Sequence, residues 1–423
     1  MTSGAPLALT TGAVRQLEHC NKCGFCLPAC PTYLETGLEM HSPRGRLSLM
    51  EAAWRGELPV GQGLADALSL CIGCRACEAA CPSGVRYSSV LEAARADLVH
   101  RHRRWVIPAP VVPALLRLVR HRRAFRAAIA LGRTARRLPL PPFLAPLAAM
   151  LPVVRPDAPR SVAAVRSDPS GPAVHFVDTC AMAALFPTAN HDAVTLLSAA
   201  GARLVPAPGQ EGCCGALEAH VGHLETARQL ARAQVARWER YLAADTWLVA
   251  HAGGCAAMMA DYGRLLGDDD RWGGPARHWA AQVRDWATAL EALPTALAFR
   301  GTGARVALQN SCHLVNGLRQ GDAPVRILAG VPGDVLIALA SQDTCCGAGG
   351  VYNLNQPAMA ETILARQLAA GEEAAVDVWI VNNPGCALHL GQGVHTRGSR
   401  ARVQHLATYL RERWLDTPLR QEG

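Results

Sequence analysis

Apolar residues along this chain follow two different periods. In the N-terminal part they recur at helical spacing, with Leu47, Met50, Ala53 and Trp54 marking a helix across Leu47 to Gly56 and a further helix reading from Ser89 to Arg101. Beyond residue 170 the pattern changes to short continuous apolar runs. Ala173 to Val177, Thr246 to Ala250, Ala304 to Leu308 and Val378 to Val381 each read as a buried strand, separated by helical stretches. A further strand is expected ahead of each Cys-Cys-Gly, and a long Ala-rich helix after it. Strands alternating with helices predict parallel α/β units. The pattern also occurs twice. Cys180, Cys213-Cys214-Gly215 and Cys255 are repeated as Cys312, Cys345-Cys346-Gly347 and Cys386, displaced by 131 or 132 residues, which implies a duplicated domain.

The cysteines change the picture of the helical part. Eight of the sixteen fall into Cys20-x-x-Cys23-x-x-Cys26-x-x-x-Cys30-Pro31 and Cys71-x-x-Cys74-x-x-Cys77-x-x-x-Cys81-Pro82, the ligand run of a two-cluster ferredoxin. Three thiolates two residues apart wrap one face of a cubane, and the fourth, turned away by the Pro, reaches the neighbouring cluster. Cys20, Cys23, Cys26 and Cys81 are therefore assigned to one [4Fe-4S] cluster, and Cys71, Cys74, Cys77 and Cys30 to the other. A pair of structural zinc sites is the alternative, but tetrahedral zinc calls for two separated Cys-x-x-Cys pairs and gives no reason for the trailing Pro. The fold class expected is multidomain α+β. A helical two-cluster ferredoxin-type domain spans 13–97, a basic, Pro-rich helical connector 98–170, and two α/β cysteine-rich domains 171–295 and 301–412.

In a parallel sheet, ligands bind beyond the carboxyl ends of the strands, where all eight remaining cysteines are expected. Three uses of them are open: a further iron–sulfur cluster in one or both copies, thiol–disulfide chemistry, or cysteines that only shape an interface. Vicinal pairs such as Cys345-Cys346 suit adjacent irons better than a strained disulfide, and Gly215 and Gly347 let backbone N–H groups approach anionic sulfur. Cys312, Cys345, Cys346 and Cys386 are favoured over Cys180, Cys213, Cys214 and Cys255, because the second copy carries Cys312-His313, a Gly-Ala-Gly-Gly350 run and His389. Either histidine could donate to sulfur or take a coupled proton; the plainer role is a loop hydrogen bond.

Length and charge add limits. With 423 residues, half of them hydrophobic, the chain has material for two or three cores. No basic start and apolar run open residues 1–19, so clustered thiols point to metal and a reducing cytoplasm rather than to disulfides. The net charge of +8 is carried by arginine, since Lys22 is the only lysine. Basic runs at His100 to Arg104 and Arg117 to Arg126 suit an acidic partner surface or anionic lipid heads, or are simply solvated linker. Nucleic acid is not expected, for want of interleaved aromatics or a binding module. One long uncharged stretch, Leu138 to Val154, holds five prolines and is not a spanning helix.

Cys20-Asn-Lys-Cys-Gly-Phe-Cys-Leu-Pro-Ala-Cys-Pro-Thr-Tyr33, then Ser42-Pro-Arg-Gly-Arg46, then Cys71 through Pro-Ser-Gly-Val-Arg-Tyr87 together resemble the iron–sulfur subunits of glycolate oxidase (glycolate dehydrogenase). The duplicated part is similar to the "CCG" domains shared with heterodisulfide reductase, anaerobic glycerol-3-phosphate dehydrogenase and lactate-utilisation proteins, and the likeness runs from about residue 13 to 412. The resemblance implies an electron-transfer subunit, with two [4Fe-4S] clusters and a further cluster open in a CCG domain. Flavin-containing partner subunits would oxidise a 2-hydroxy acid, and electrons would pass toward quinone at the inner face of the cytoplasmic membrane. It assigns no catalytic residue to this chain, which shows no Gly-x-Gly-x-x-Gly between strand and helix. The fullest CCG motif ends Cys-x-x-Cys, whereas Met258 and His389 stand in the last position here. That counts against a heterodisulfide-reductase-like five-cysteine site and leaves a four-cysteine site open in each copy; the alternative function is a heterodisulfide-reductase-like, lactate-utilisation or glycerol-3-phosphate dehydrogenase-type subunit with its chemistry at the second CCG site.

Overall fold

The computed structural model describes residues 5–101, 111–135, 169–206, 212–239, 243 and 245–415. The Pro-rich stretch Leu138 to Val154 and positions 102–104 of the first basic run lie outside them. The chain divides into two compact units, one of Met1–Arg117, Gly215–Gln229 and Thr344–Leu364, the other of Leu118–Cys214, Leu230–Asp343 and Ala365–Gly423.

The first unit is helical. Thr11–Glu18, Pro31–Thr36, Pro43–Trp54, Gln62–Ser69, Ala76–Ala79 and Tyr87–His100 surround a core in which Leu17, Met50, Leu68, Val90 and Leu98 are buried. The expected helix at Leu47 starts earlier, at Pro43, because Ser42 caps it: the Ser42 hydroxyl accepts from Gly45 N–H at 2.9 Å, and Pro43 supplies a preset φ at the first helical position. Gly45 is required there by space, since a Cβ would lie 1.9 Å from the Glu39 carbonyl oxygen. Each fourth-cysteine Pro has a local use: Pro31 opens a helix, with Cys30 at its N-cap, and Pro82 enters a turn. From the connector, Leu116 is buried with Val221 and Val351.

The second unit holds two four-stranded, wholly parallel sheets. β1 (Ala173–Phe176), β2 (Arg203–Leu204), β3 (Trp247–Ala250) and β4 (Val283–Asp285) lie in the order β2-β1-β3-β4. β5 (Arg305–Gln309), β6 (Val335–Ile337), β7 (Val378–Val381) and β8 (Arg402–His405) repeat it as β6-β5-β7-β8. The duplication read from the cysteines is thus a duplication of topology. β4 and β8 complete each sheet as edge strands. One apolar core joins the copies, with Val174, Leu196, Trp286, Val306, Ile380 and Leu410 all buried in it. The loops beyond β3, β5 and β7 are tied together by hydrogen bonds: Ser311 N–H to Asn382 Oδ1 at 2.8 Å, Asn382 Nδ2 to Asn310 Oδ1 at 2.8 Å, and Gly253 N–H to the Asn382 carbonyl at 3.1 Å. Those ties fix the sheet edges beyond which cysteines lie. Phe125 and Ile129, on the connector helix Arg122–Ala135, are buried against Ala184 and Leu185.

Asp334, just ahead of β6, anchors the end of the chain. Its carboxylate receives Tyr409 Oη and Arg413 Nε, along with the backbone N–H of Thr302 at 2.7 Å and Ala304 at 2.9 Å. Burial opposes its ionisation, but these donors outweigh burial and hold the carboxyl well below its usual range. Asp334→Asn leaves the buried Arg413 guanidinium with only the half-exposed Glu412, 3.9 Å away, and should cost about 3–5 kcal/mol near neutral pH, read as an earlier urea midpoint. A depressed carboxyl stabilises fully above its unfolded value of ~3.9 and loses that contribution as pH falls below it. The gap between wild type and variant should therefore close on acidification.

Candidate metal centre

Both ligand loops share one backbone. φ is positive at Lys22 and Gly24 in the first and at Gly73 and Arg75 in the second, so residues on either side of the second cysteine are left-handed in each loop, with the glycine exchanged between the two sides. Alternating right- and left-handed residues turn successive N–H groups inward and form a concavity suited to anions, a known feature of iron–sulfur sites. Two non-glycine residues therefore carry an unfavourable conformation. Side chains hold them: Arg44 Nη1 donates to the Lys22 carbonyl at 3.2 Å, Lys22 Nζ pairs with Glu51 at 3.1 Å, and Arg75 Nε bonds Glu78 at 2.9 Å.

Beside the loops are two cavities of nearly equal size, about 410 and 400 Å³ with their open mouths included. Cys30, Cys71, Cys74 and Cys77 line the first, together with Arg46. Cys20, Cys23, Cys26 and Cys81 line the second, together with Arg44 and Lys22. Cys77 and Tyr87 border both, so the cavities adjoin.

The donor set fits iron–sulfur clusters. All eight sulfurs are free thiols. Burial pushes the Cys77 thiol well up, with the neighbouring Cys74 and Cys71 adding to it, and burial raises Cys26 despite the backbone N–H of Arg44. Such thiols ionise only when a cation compensates them. The Tyr87 hydroxyl is buried next to the Cys71 sulfur and has no oxygen or nitrogen partner, so it offers a donor into the cavities. Among the described residues no three His, Cys, Asp or Glu side chains close around a single ion. A four-iron cube gives each thiolate its own iron and spreads the sulfurs wider than one tetrahedral ion does.

Sequence reasoning did not single out Tyr87, Arg46, Arg95 or Tyr352 as individual site residues, although the first two close motifs it quoted. Arg95 Nη2 donates to the carbonyls of Leu68 at 2.8 Å and Cys71 at 2.6 Å, fixing the start of the second loop. Tyr352 Oη donates to the Leu70 carbonyl at 3.1 Å, and Gln356 Nε2 to Ser69 Oγ at 2.9 Å. Gly349 has φ +48° and no room for a Cβ, which would stand 2.8 Å from Ile72 Cγ2. The Gly-rich run after Cys345-Cys346 therefore seats directly on the Cys71–Ile72 loop. Burial, then the charge of Cys71 and of Cys345, pushes the Tyr352 phenol up.

In the first cysteine-rich copy the structure brings four thiols together. Cys180 opens the helix Cys180–Leu185 beyond β1, and Cys255 lies in Gly253–Ala260 beyond β3. The Cys180 thiol bonds to Cys213, and the Cys214 thiol to both Cys213 and Cys255; these contacts, with burial behind them, push Cys180 and Cys214 well up. Tyr262 Oη donates to the Cys214 carbonyl at 2.9 Å, holding the vicinal pair. In the second copy Cys312 and Cys386 lie beyond β5 and β7, while Cys345 and Cys346 belong to the helical unit. All four are buried; Cys312 Sγ is 3.6 Å from His313 Nδ1, and Asn383 Nδ2 is 3.8 Å from Cys386 Sγ. His389 lies one helical turn beyond Cys386 in Pro384–Thr396. The sequence favoured the second copy; the four thiols seen adjoining within one unit are those of the first.

Residues 16–85 match the family described as 4Fe-4S dicluster domain, and 174–260 and 306–391 each match the family described as Cysteine-rich domain. The chain is 34% identical over 423 residues to the probable glycolate oxidase iron-sulfur subunit of Bacillus subtilis (strain 168), covering 94% of each chain. It is 30% identical over 388 residues to the glycolate oxidase iron-sulfur subunit of Escherichia coli (strain K12), covering 90% of this chain and 91% of that one. A shorter likeness, 28% over 236 residues, joins 55% of the chain to 95% of lactate utilization protein A of Shouchella clausii (strain KSM-K16). With the likeness running nearly end to end through a helical dicluster domain and two α/β cysteine-rich domains, this chain belongs to the family of glycolate oxidase iron–sulfur subunits.

Proposed function

We propose that the chain is the electron-carrying subunit of a complex in which flavin-containing partner subunits oxidise glycolate or a related 2-hydroxy acid, and that it passes the electrons toward quinone. The observation that supports this most is the pair of adjoining cavities, one lined by four cysteines and the other by five, each drawing on both ligand runs. Cys20, Cys23, Cys26 and Cys81 would hold one [4Fe-4S] cluster, and Cys71, Cys74, Cys77 and Cys30 the other. Bound there, the clusters supply one-electron uptake and release, dividing a flavin's electron pair into single electrons. The chain's own residues keep that site in order. The two loops curve their backbone around the cavities, and Tyr87 adds a buried hydroxyl donor. Tyr352, bonded to the Leu70 carbonyl and within electrostatic reach of Cys71 and Cys345, connects the second loop to the second cysteine-rich motif. Among the described residues no helix is long and apolar enough to cross a membrane. Contact with a quinone pool would then be peripheral or through a partner.

The test of the relay is anaerobic. The complex captured through a tag on this chain should contain flavin, and glycolate should bleach its visible iron–sulfur absorption. Bleaching by glycolate of the chain alone, or none in the flavin-containing complex, would refute the proposal.

A further cluster in the cysteine-rich part is proposed on the four adjoining thiols Cys180, Cys213, Cys214 and Cys255, with Cys312, Cys345, Cys346 and Cys386 as the set favoured by sequence. Buried thiols such as Cys214, pushed up by its contacts with Cys213 and Cys255, lose their protons when a cation binds. Iron and sulfide counts on the chain should give about twelve irons rather than about eight. Cys214→Ser should remove about four of them, and Cys345→Ser should remove none if the first copy holds the cluster. A count of about eight that neither substitution alters would contradict a third cluster.

A further inference from the structure

Ser42-Pro-Arg-Gly-Arg46 sends one guanidinium to each cavity, and the two differ in kind. Arg44 lines the cavity of Cys20, Cys23, Cys26 and Cys81, and Glu39 answers its charge through Nε at 2.7 Å and Nη2 at 3.2 Å. Lys22 in the same lining pairs with Glu51 at 3.1 Å and stands half exposed. Arg46 lines the other cavity and is 1% exposed. It donates Nε to the Ala67 carbonyl at 2.8 Å and Nη2 to Thr32 Oγ1 at 3.1 Å, with the Cys30 sulfur as its remaining hydrogen-bond partner. None of these is a carboxylate. Burial works against its charge, but a guanidinium stays protonated in proteins even when buried.

We infer that Arg46 sets an asymmetry between the two clusters: its buried charge, answered by no carboxylate, makes the cluster held by Cys30, Cys71, Cys74 and Cys77 the easier one to reduce. The inference rests on reading the two cavities as cluster sites. Reduction there adds one electron and one unit of negative charge; no bond forms or breaks and no proton is needed. The electron comes from a partner's reduced flavin in the complex, or from dithionite in a titration. A fixed positive charge in a water-poor site stabilises the more negative, reduced state more than the oxidised one. At the other cavity the cations are already paired and face solvent, which screens them. Arg46 is a positioning residue of charge, and its effect is read as a potential.

The test is an EPR-monitored anaerobic redox titration of the full chain, comparing wild type, Cys74→Ser, Arg46→Gln and Arg46→Lys. The signal that Cys74→Ser alters or removes should be the one with the higher midpoint in wild type. In Arg46→Gln that cluster's reduced-to-oxidised ratio at a fixed potential should fall about tenfold, equivalent to ~59 mV for a one-electron couple, while the other cluster moves far less. Arg46→Lys should retain most of the wild-type value. Equal shifts of both clusters, or no shift, would overturn the inference. So would a wild-type chain in which the Cys74-dependent signal has the lower midpoint, and this comparison decides even if Arg46→Gln does not fold. A wild-type chain without two reducible clusters would instead bring down the reading of the cavities, and the inference with it.

Discussion

Negative charge held on sulfur inside a protein is the constraint on which the helical half of this chain is organised. Eight thiols line two adjoining cavities, and burial pushes Cys77 and Cys26 among them toward the protonated form that binds no metal. Ionisation needs inward-facing N–H groups, hydroxyl donors and fixed cations close by, and each of those fixes a piece of backbone. Left-handed residues on both sides of Cys23 and Cys74 open the concavities. The Ser42 cap and the tight contact at Gly45 start the helix that carries Arg44 and Arg46. Helix Tyr87–His100 then brings Tyr87 to the cavities and Arg95 to the Cys71 carbonyl. Apolar packing behind these helices makes the arrangement rigid; it does not choose it.

The α/β unit meets the same demand by another route. Parallel strands end on one side of each sheet, and asparagine ties between the loops beyond β3, β5 and β7 hold the two copies' edges in register. Distant thiols thereby converge without any local ligand run. Cys180, Cys213, Cys214 and Cys255 adjoin, and their contacts push Cys180 and Cys214 up, a state that a bound cation relieves. Duplication repeats the edge, and the replacements at Met258 and His389 make the copies chemically different. Both domain types therefore gather thiols, one by short spacing and one by topology.

The sequence was most legible where the chemistry is local. Cysteine spacing pointed to the cluster-type cavities, and the near-constant displacement between cysteines identified the repeat that the sheet orders bear out. Strands with continuous apolar runs, such as Val378–Val381, fell where expected. The edge strands β4, Val-Arg-Asp, and β8, Arg-Val-Gln-His, carry too few apolar residues to declare themselves, because only one neighbour covers them. Helix starts were misplaced by a few residues where a cap, rather than the apolar stripe, sets the boundary, as at Ser42. Arg46 and Tyr87 stood at the ends of quoted motifs, yet their roles depend on burial and on which sulfur each meets, and spacing carries neither. Tyr352 gave no signal at all, since its partner Leu70 lies far away in sequence.

The central claim is that two clusters sit in adjoining cavities within a single helical unit. Quantified EPR of the isolated chain, fully reduced under anaerobic conditions, tests it most directly. The account predicts at least two unpaired spins per chain, with line shapes split by interaction between neighbouring centres. A reduced chain that is EPR-silent and contains zinc, or one that carries a single uncoupled spin, would contradict it.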